Sequence, residues 1–288
     1  EKRRDIFMTR ENSIPEIVGT GETKITSNNG EMENKGLDLA IDYNKQITKD
    51  FFLSFKSTLT FARNKVLKMD EPPYFEYPGL SDVGHPLGTY WGYVADGLFP
   101  DQETIDNSPR QDLGYTPQPG DIKYVNQPNA KGEYDNVINS NDRVAIGHPY
   151  DPELVYGFGP SMKWKNWDFS FFFQGVARTS FMMYGMHPFG TTSIKNMLQF
   201  VADDHWSVDN PNPNAAYPRL TKDSNGNNDQ YSTYWLRNAA FLKLKNAEIG
   251  YTYKGMRFYL SGVNLLTFSP FKHWDPEMGG GNGLYYPT

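Results

Sequence analysis

The sequence predicts an all-β, antiparallel fold of the kind that walls a transmembrane barrel, and three observations predict it. Apolar and aromatic residues alternate with polar ones over runs of about ten residues, the length at which a tilted strand crosses a bilayer. The runs come in pairs joined by very short polar links, which makes each pair a hairpin. Between the pairs lie long segments rich in Pro, Gly and Asn, Lys68–Pro152 and Thr179–Leu236. Short turns at one end, long loops at the other and aromatics near the short end describe a barrel wall of roughly seven strands.

Residues 1–10 read as the end of a strand, with Ile6 and Met8 set against Phe7 and Thr9. Ser13–Gly30 holds Pro15, several glycines and many small polar residues, and reads as loop. The first hairpin pairs Lys35–Lys45 with Phe51–Ala62 across Gln46–Asp50. Leu37, Leu39, Ile41 and Tyr43 share one face of its first strand, with Asp38, Ala40, Asp42 and Asn44 on the other. This alternation alone fits a two-layer soluble sandwich equally well, with loop aromatics as a carbohydrate platform.

The second hairpin lies in Leu154–Arg178, where Trp164 and Trp167 bracket the link at Lys165-Asn166. The third pairs Phe241–Tyr253 with Arg257–Phe268 across Lys254-Gly255-Met256. On the barrel reading Phe51, Leu53, Phe55, Phe169, Phe171 and Phe173 face lipid. Ser54, Lys56, Thr58, Ser170 and Gln174 then face the lumen. The long loops hold ordered islands at Tyr90–Phe99 and Asp121–Val125, and a helix-like patch at Ile194–Trp206.

Composition sets further bounds. The 288 residues have 38% hydrophobic content and a mean hydropathy of -0.66, too polar for a membrane-spanning helix. A net charge of -6 and a pI near 5.4 argue against nucleic acid as a partner. No cysteine is present, so there is neither a disulfide framework nor a thiolate metal site. The opening EKRRDIFMTR has charge without an apolar core behind it, so it does not read as an export signal; an exported protein with this sequence is expected to be a mature or interior piece.

Catalytic chemistry is poorly supported, and the chain does not read as an enzyme. His85, His148, His187, His205 and His273 are scattered without ligand spacing. Asp203-Asp204-His205 lies in the helix-like patch, where adjacent side chains point apart. Lys131–Asp142 has the length of a calcium loop, but Lys131 occupies the first ligand position and spoils it. No metal and no cofactor is expected. The loop aromatics Tyr90, Trp91, Trp206, Tyr234 and Trp235 are the substrate-binding candidates, because flat amphipathic rings stack on sugars or peptides. The competing reading is that they pack the loops together.

Several ordered runs carry a resemblance. They begin with Gly30–Gly36 (GEMENKG) and continue with Gly120–Tyr124 (GDIKY), Asn141–Gly147 (NDRVAIG) and Tyr156-Gly157-Phe158. Phe171–Val176, Trp206–Leu220, Tyr234–Tyr251, Tyr259–Phe268 and Trp274-Asp275-Pro276-Glu277 follow. Together they resemble the SusC/RagA family of TonB-dependent transporters of the Gram-negative outer membrane. The resemblance implies a plugged barrel of about 22 strands, of which this chain is the C-terminal portion, the plug and first strands lying elsewhere. It implies a SusD-like surface lipoprotein as lid, TonB as energy source through a segment outside this chain, and a glycan or, secondarily, a peptide as cargo. The family often has an acidic run between GDIKY and NDR; here Val125–Ser140 is poor in acids.

Overall fold

The computed structural model describes residues 1–10, 25–183, 189–190, 193–194, 198–221 and 224–278. Seven strands form one antiparallel sheet in chain order: β1 (Lys2–Arg10), β2 (Ile25–Thr48), β3 (Phe51–Lys68), β4 (Leu154–Trp164), β5 (Trp167–Ala177), β6 (Phe241–Tyr253) and β7 (Met256–Phe268). The three expected hairpins are all present. Two are closed by turns with left-handed residues: Lys165 at φ 52°, and Lys254 and Gly255 at φ 47° and 84°. The last pair has the positive φ values that match a turn to the twist of its strands. Adjacent hairpins are stitched at their turns, since Lys165 N donates to Asp50 O and Thr252 N to Asn166 O, both at 2.8 Å.

The first hairpin is much longer than its alternation suggests. β2 runs 24 residues and β3 18. Ile25–Gly30, expected as loop, is strand because β1 supplies a hydrogen-bonding partner along Ile25–Glu33. Pairing overrides a polar composition that disfavours strand. The helix-like patch is also shorter than expected, with a helix only over Gln199–Asp203. Ser193–Ile194 instead pairs with Phe189–Gly190, and residues 195–197 lie outside the described set, as do His187 and Gly279–281.

Register decides which side chains share a face, because directly opposed residues in an antiparallel pair point the same way. Near the turns one row across the sheet reads Phe51, Trp164, Trp167, Tyr251, Phe258. The next reads Leu53, Met162, Phe169, Ile249, Leu260. Farther up come Ile41, Ser57, Phe158, Phe173, Leu244, Leu266, and the last apolar row starts Leu37, Phe61, Leu154. The opposite face carries rows such as Asn44, Ser54, Ser161, Ser170, Glu248, Ser261 and Ala40, Thr58, Gly157, Gln174, Lys243, Thr267. The two expected residue sets therefore fall on opposite faces of the sheet, each set together. From Phe51 to Phe61 the apolar face rises about 33 Å along the strand, or about 25 Å at a tilt of roughly 40°.

Bulges keep these rows in phase. In β6 the apolar positions are Leu242 and Leu244 before the bulge and Ala247, Ile249 and Tyr251 after it. Against β5, the shift between Leu244 and Asn246 leaves Lys245 as the extra residue, whereas against β7 the extra residue falls on β7, between Val263 and Leu266.

No second sheet covers the apolar face among the described residues. Leu260 is 75% exposed, Leu37 61% and Phe258 59%. A soluble sandwich buries such a face, so that reading is corrected. The buried core lies instead in the long loops, where Leu98, Ile122, Tyr124, Ile138, Met183, Val201 and Tyr217 pack together above the wall.

Candidate functional site

The two long loops are joined by a buried polar network. Asp121 is fully buried, and its Oδ1 accepts from Arg219 Nε at 2.7 Å and from the side-chain amides of Asn225 and Asn228 at 2.9 Å each. Its Oδ2 accepts from Gln118 N at 2.8 Å. Gly120 sits at φ 89° against the Trp206 ring, leaving no room for a side chain. Gln111 bridges the strand that follows, donating to Ile122 O and accepting from Tyr124 N. Tyr124 in turn donates to Asn227 O at 2.8 Å, and burial raises its phenol. A network with its members satisfied fixes one loop arrangement. Asp142, in the next motif, closes a capping box, accepting from Asn139 N and Gln127 N while burial raises its carboxyl.

Above this network is a cavity of about 380 Å³ lined by Trp91, Tyr93, Arg143, Ser224, Gly226, Asp229, Gln230 and Tyr231. Trp91 lies on a short strand, Tyr90–Gly92, paired with Val144–Ile146, which places Arg143 beside it. Its ring is fixed: Nε1 donates to Asp82 Oδ1 at 2.6 Å, and the His85 ring meets it edge-on at 5.1 Å. Tyr93 N donates to Tyr231 O and Thr233 N to Tyr93 O, so the far side is held to the same frame. The result is a rigid aromatic wall facing a guanidinium, an amide and a carboxylate.

Of the five aromatics expected at the site, Trp91 lines this cavity and half-buried Tyr90 adjoins it on the same strand. Burial, then Tyr150 and Tyr231, push the Tyr90 phenol up to about 12. Trp206 and Trp235 are 7% and 4% exposed and belong to the loop core. Tyr234 stands edge-on to Trp235 and donates to Ala215 O at 2.8 Å. Arg143, Asp229 and Gln230 were missed; the NDR run flags Arg143, while nothing marks the other two. A larger groove of about 840 Å³ runs along Ser108–Asp112 and Gly114–Gln118, with Tyr115 and Phe99 as its aromatics.

A second cluster ties the wall to the segment after β7. Lys243, whose side chain is fully buried, donates to Asp275 Oδ2 at 2.6 Å and Glu277 Oε2 at 2.7 Å, and Lys245 also reaches Glu277. Burial opposes the charge on Asp275, but the hydrogen bonds from Lys243 and the Glu277 backbone, together with the charges of Lys243 and Lys245, outweigh it and hold the carboxyl below its usual value. Glu277 is held down in the same way by both lysines. Thus GDIKY meets the PRL of Pro218–Leu220 through Asp121–Arg219, and FLKLKN meets WDPE through Lys243–Asp275. Among the described residues no group of three His, Cys, Asp or Glu is placed to hold a metal. His205 Nδ1 lies against Ala202 O at 2.8 Å.

No family model matches the chain. It is 29% identical over 290 residues to the TonB-dependent receptor P26 of Formosa agariphila, covering 92% of this chain and 28% of that protein. It is 26% identical over 293 residues to the TonB-dependent receptor SusC of Bacteroides thetaiotaomicron, covering 94% of this chain and 26% of that protein. Its fold matches the structure of the RagAB peptide transporter with a TM-score of 0.67 at 22% identity, over 99% of this chain and 31% of that one. Along nearly its whole length the chain is similar to TonB-dependent receptors of the SusC/RagA kind. It spans under a third of the length of these SusC/RagA relatives. They are receptors and transporters rather than enzymes, as the scattered histidines lead one to expect. Within the SusC/RagA frame the seven-stranded sheet is a stretch of barrel wall, with β1 and β7 at its edges.

Proposed function

We propose that this chain is the C-terminal part of the wall of an outer-membrane importer in a Gram-negative bacterium, carrying an oligosaccharide inward with energy passed by TonB. The rest of the barrel and the plug complete the channel, and a SusD-like surface lipoprotein covers the long loops. The observation that carries this reading is the single apolar face shared by β2–β7, about 25 Å tall, with aromatics at the turns and a folded loop core at the other end. The apolar face meets lipid, and the Ser/Thr/Asp rows line water. In the loops, the fixed Trp91 ring and the polar groups opposite it suit the apolar face and hydroxyl edge of a sugar. Tyr90, on the opposite face of the same strand, packs with Trp206, Tyr234 and Trp235 in the loop core that holds the platform in place.

The test is whole-cell uptake of labelled oligosaccharides by the full-length receptor, with an oligopeptide pool alongside because the structures of like fold are of a peptide transporter. Uptake of an oligosaccharide that disappears on deleting the receptor is expected; unchanged uptake of every sugar overturns the cargo. Spin labels at Phe171 and Ser170 test the wall separately. Equal collision with a lipid-soluble relaxant would remove the membrane placement.

A further inference from the structure

The outer face of the β2–β3 hairpin changes character abruptly at its upper end. Leu37 and Phe61, directly opposed, form the last apolar row, and the next two rows are Lys35 with Arg63 and Glu33 with Lys65. The pleat places all six on one face. They line one groove of about 730 Å³, roofed by the loop at Gly84 and Pro86. Lys2 continues the upper row on β1, opposite Glu33.

The cations are only partly neutralised. Lys35 Nζ lies 2.5 Å from Glu33 Oε1 yet its side chain is 77% exposed. Arg63 Nε is 3.1 Å from Glu153, a buried carboxylate that Arg178 also reaches at 2.6 Å. Lys65 is exposed and has no carboxylate partner among the described residues. With Arg178 counted, four cations meet two carboxylates, Glu33 and Glu153, so the groove is positive. Its floor is continuous with the greasy band below. The position is therefore where acyl chains end and headgroups begin, and the charge is of the sign that attracts a phosphate.

Resting on the membrane placement argued above, we propose that this groove seats the phosphorylated headgroup of an outer-leaflet lipid. The phosphate meets Lys35, Arg63 and Lys65, and the acyl chains run down Leu37 and Phe61. Guanidinium and ammonium groups on neighbouring strands give two directions of approach to one phosphate.

The experiment uses the full-length receptor in nanodiscs of a zwitterionic phospholipid doped with monophosphoryl lipid A, and counts retained lipid by native mass spectrometry. The variant is K35Q/K65Q, which leaves Arg63, and therefore Glu153, untouched. Retention of the phosphorylated lipid falls roughly 25-fold, about fivefold for each lysine removed, and wild type retains the phosphorylated lipid in preference to its dephosphorylated form. Unchanged retention in the variant, or equal retention of both lipids by wild type, overturns the proposal. So does an acidic polypeptide that copurifies with wild type and is lost in the variant while lipid retention holds. Tryptophan placed at Leu39 and quenched by brominated acyl chains reports the membrane placement independently; quenching without lipid selectivity removes the headgroup site and leaves the wall intact.

Discussion

Arg219 donates to the fully buried Asp121 at 2.7 Å across 98 residues of chain. Removing the carboxylate leaves the guanidinium and two asparagine amides without their acceptor, in a region with little water to replace it. Asp121→Ala is expected to destabilise the loop core by about 3 kcal/mol while the wall stays folded. Limited proteolysis of the full-length receptor should cut within residues 100–150 and 206–235 in the variant only. A variant as resistant as wild type refutes the linkage.

The Lys243–Asp275–Glu277 cluster sets a pH limit on the docking of the segment after β7. Both carboxyls are held below their usual values. Their contribution is complete above the unfolded value of about 4 and is lost as pH falls through the lower folded value. Hydrogen exchange across residues 269–278 should therefore be the same near pH 5 as at neutrality once corrected for intrinsic rate, and faster near pH 3. Loosening already at about pH 5 would contradict the pairing.

The two faces of the wall should respond oppositely to charge. Leu39→Arg puts a guanidinium among Ile41, Leu59 and Tyr156 and is expected to cost about 2–4 kcal/mol in a bilayer. Thr58→Arg, on the opposite face, should stay within about 0.5 kcal/mol. Urea titration of the full-length receptor in vesicles measures both, and equal costs would erase the distinction between faces.

Trp91→Ala should weaken oligosaccharide binding about fivefold, or about 1 kcal/mol, through loss of the stacking surface. Trp235→Ala should instead disturb folding, because that ring is buried and its Nε1 donates to Asn228 O. Calorimetric titration of both variants, alongside their melting curves, separates the two roles.

Much of the wall is legible because a strand with one greasy face leaves a period-two trace. The turns at Lys165-Asn166 and Lys254-Gly255 and the strand ends at Leu154, Tyr253 and Phe268 can all be read that way. Ile25–Gly30 cannot, since its partner β1 is charged and neither strand shows a strong alternation there. The loop core is legible only as motifs. GDIKY and PRL are recognisable runs, but nothing in their spacing announces that Asp121 and Arg219 touch. Trp206 and Trp235 look like surface rings in a polar segment, and their burial follows from non-local packing that a linear pattern does not encode. Asp229 and Gln230 enter the cavity for the same reason.

The extra residue at Lys245 has an evolutionary corollary. Leu242 and Leu244 sit on even positions and Ile249 and Tyr251 on odd ones, so the strand reads as two half-patterns out of step. The inserted lysine reconciles them and also turns Lys243 inward to meet Asp275. Deleting that single amino acid would swap inside for outside along the upper half of β6, whereas much larger indels in the loops above leave the alternation untouched. Sequences descended from this one are thus free to vary widely in loop length but are held to a fixed residue count between Phe241 and Tyr253.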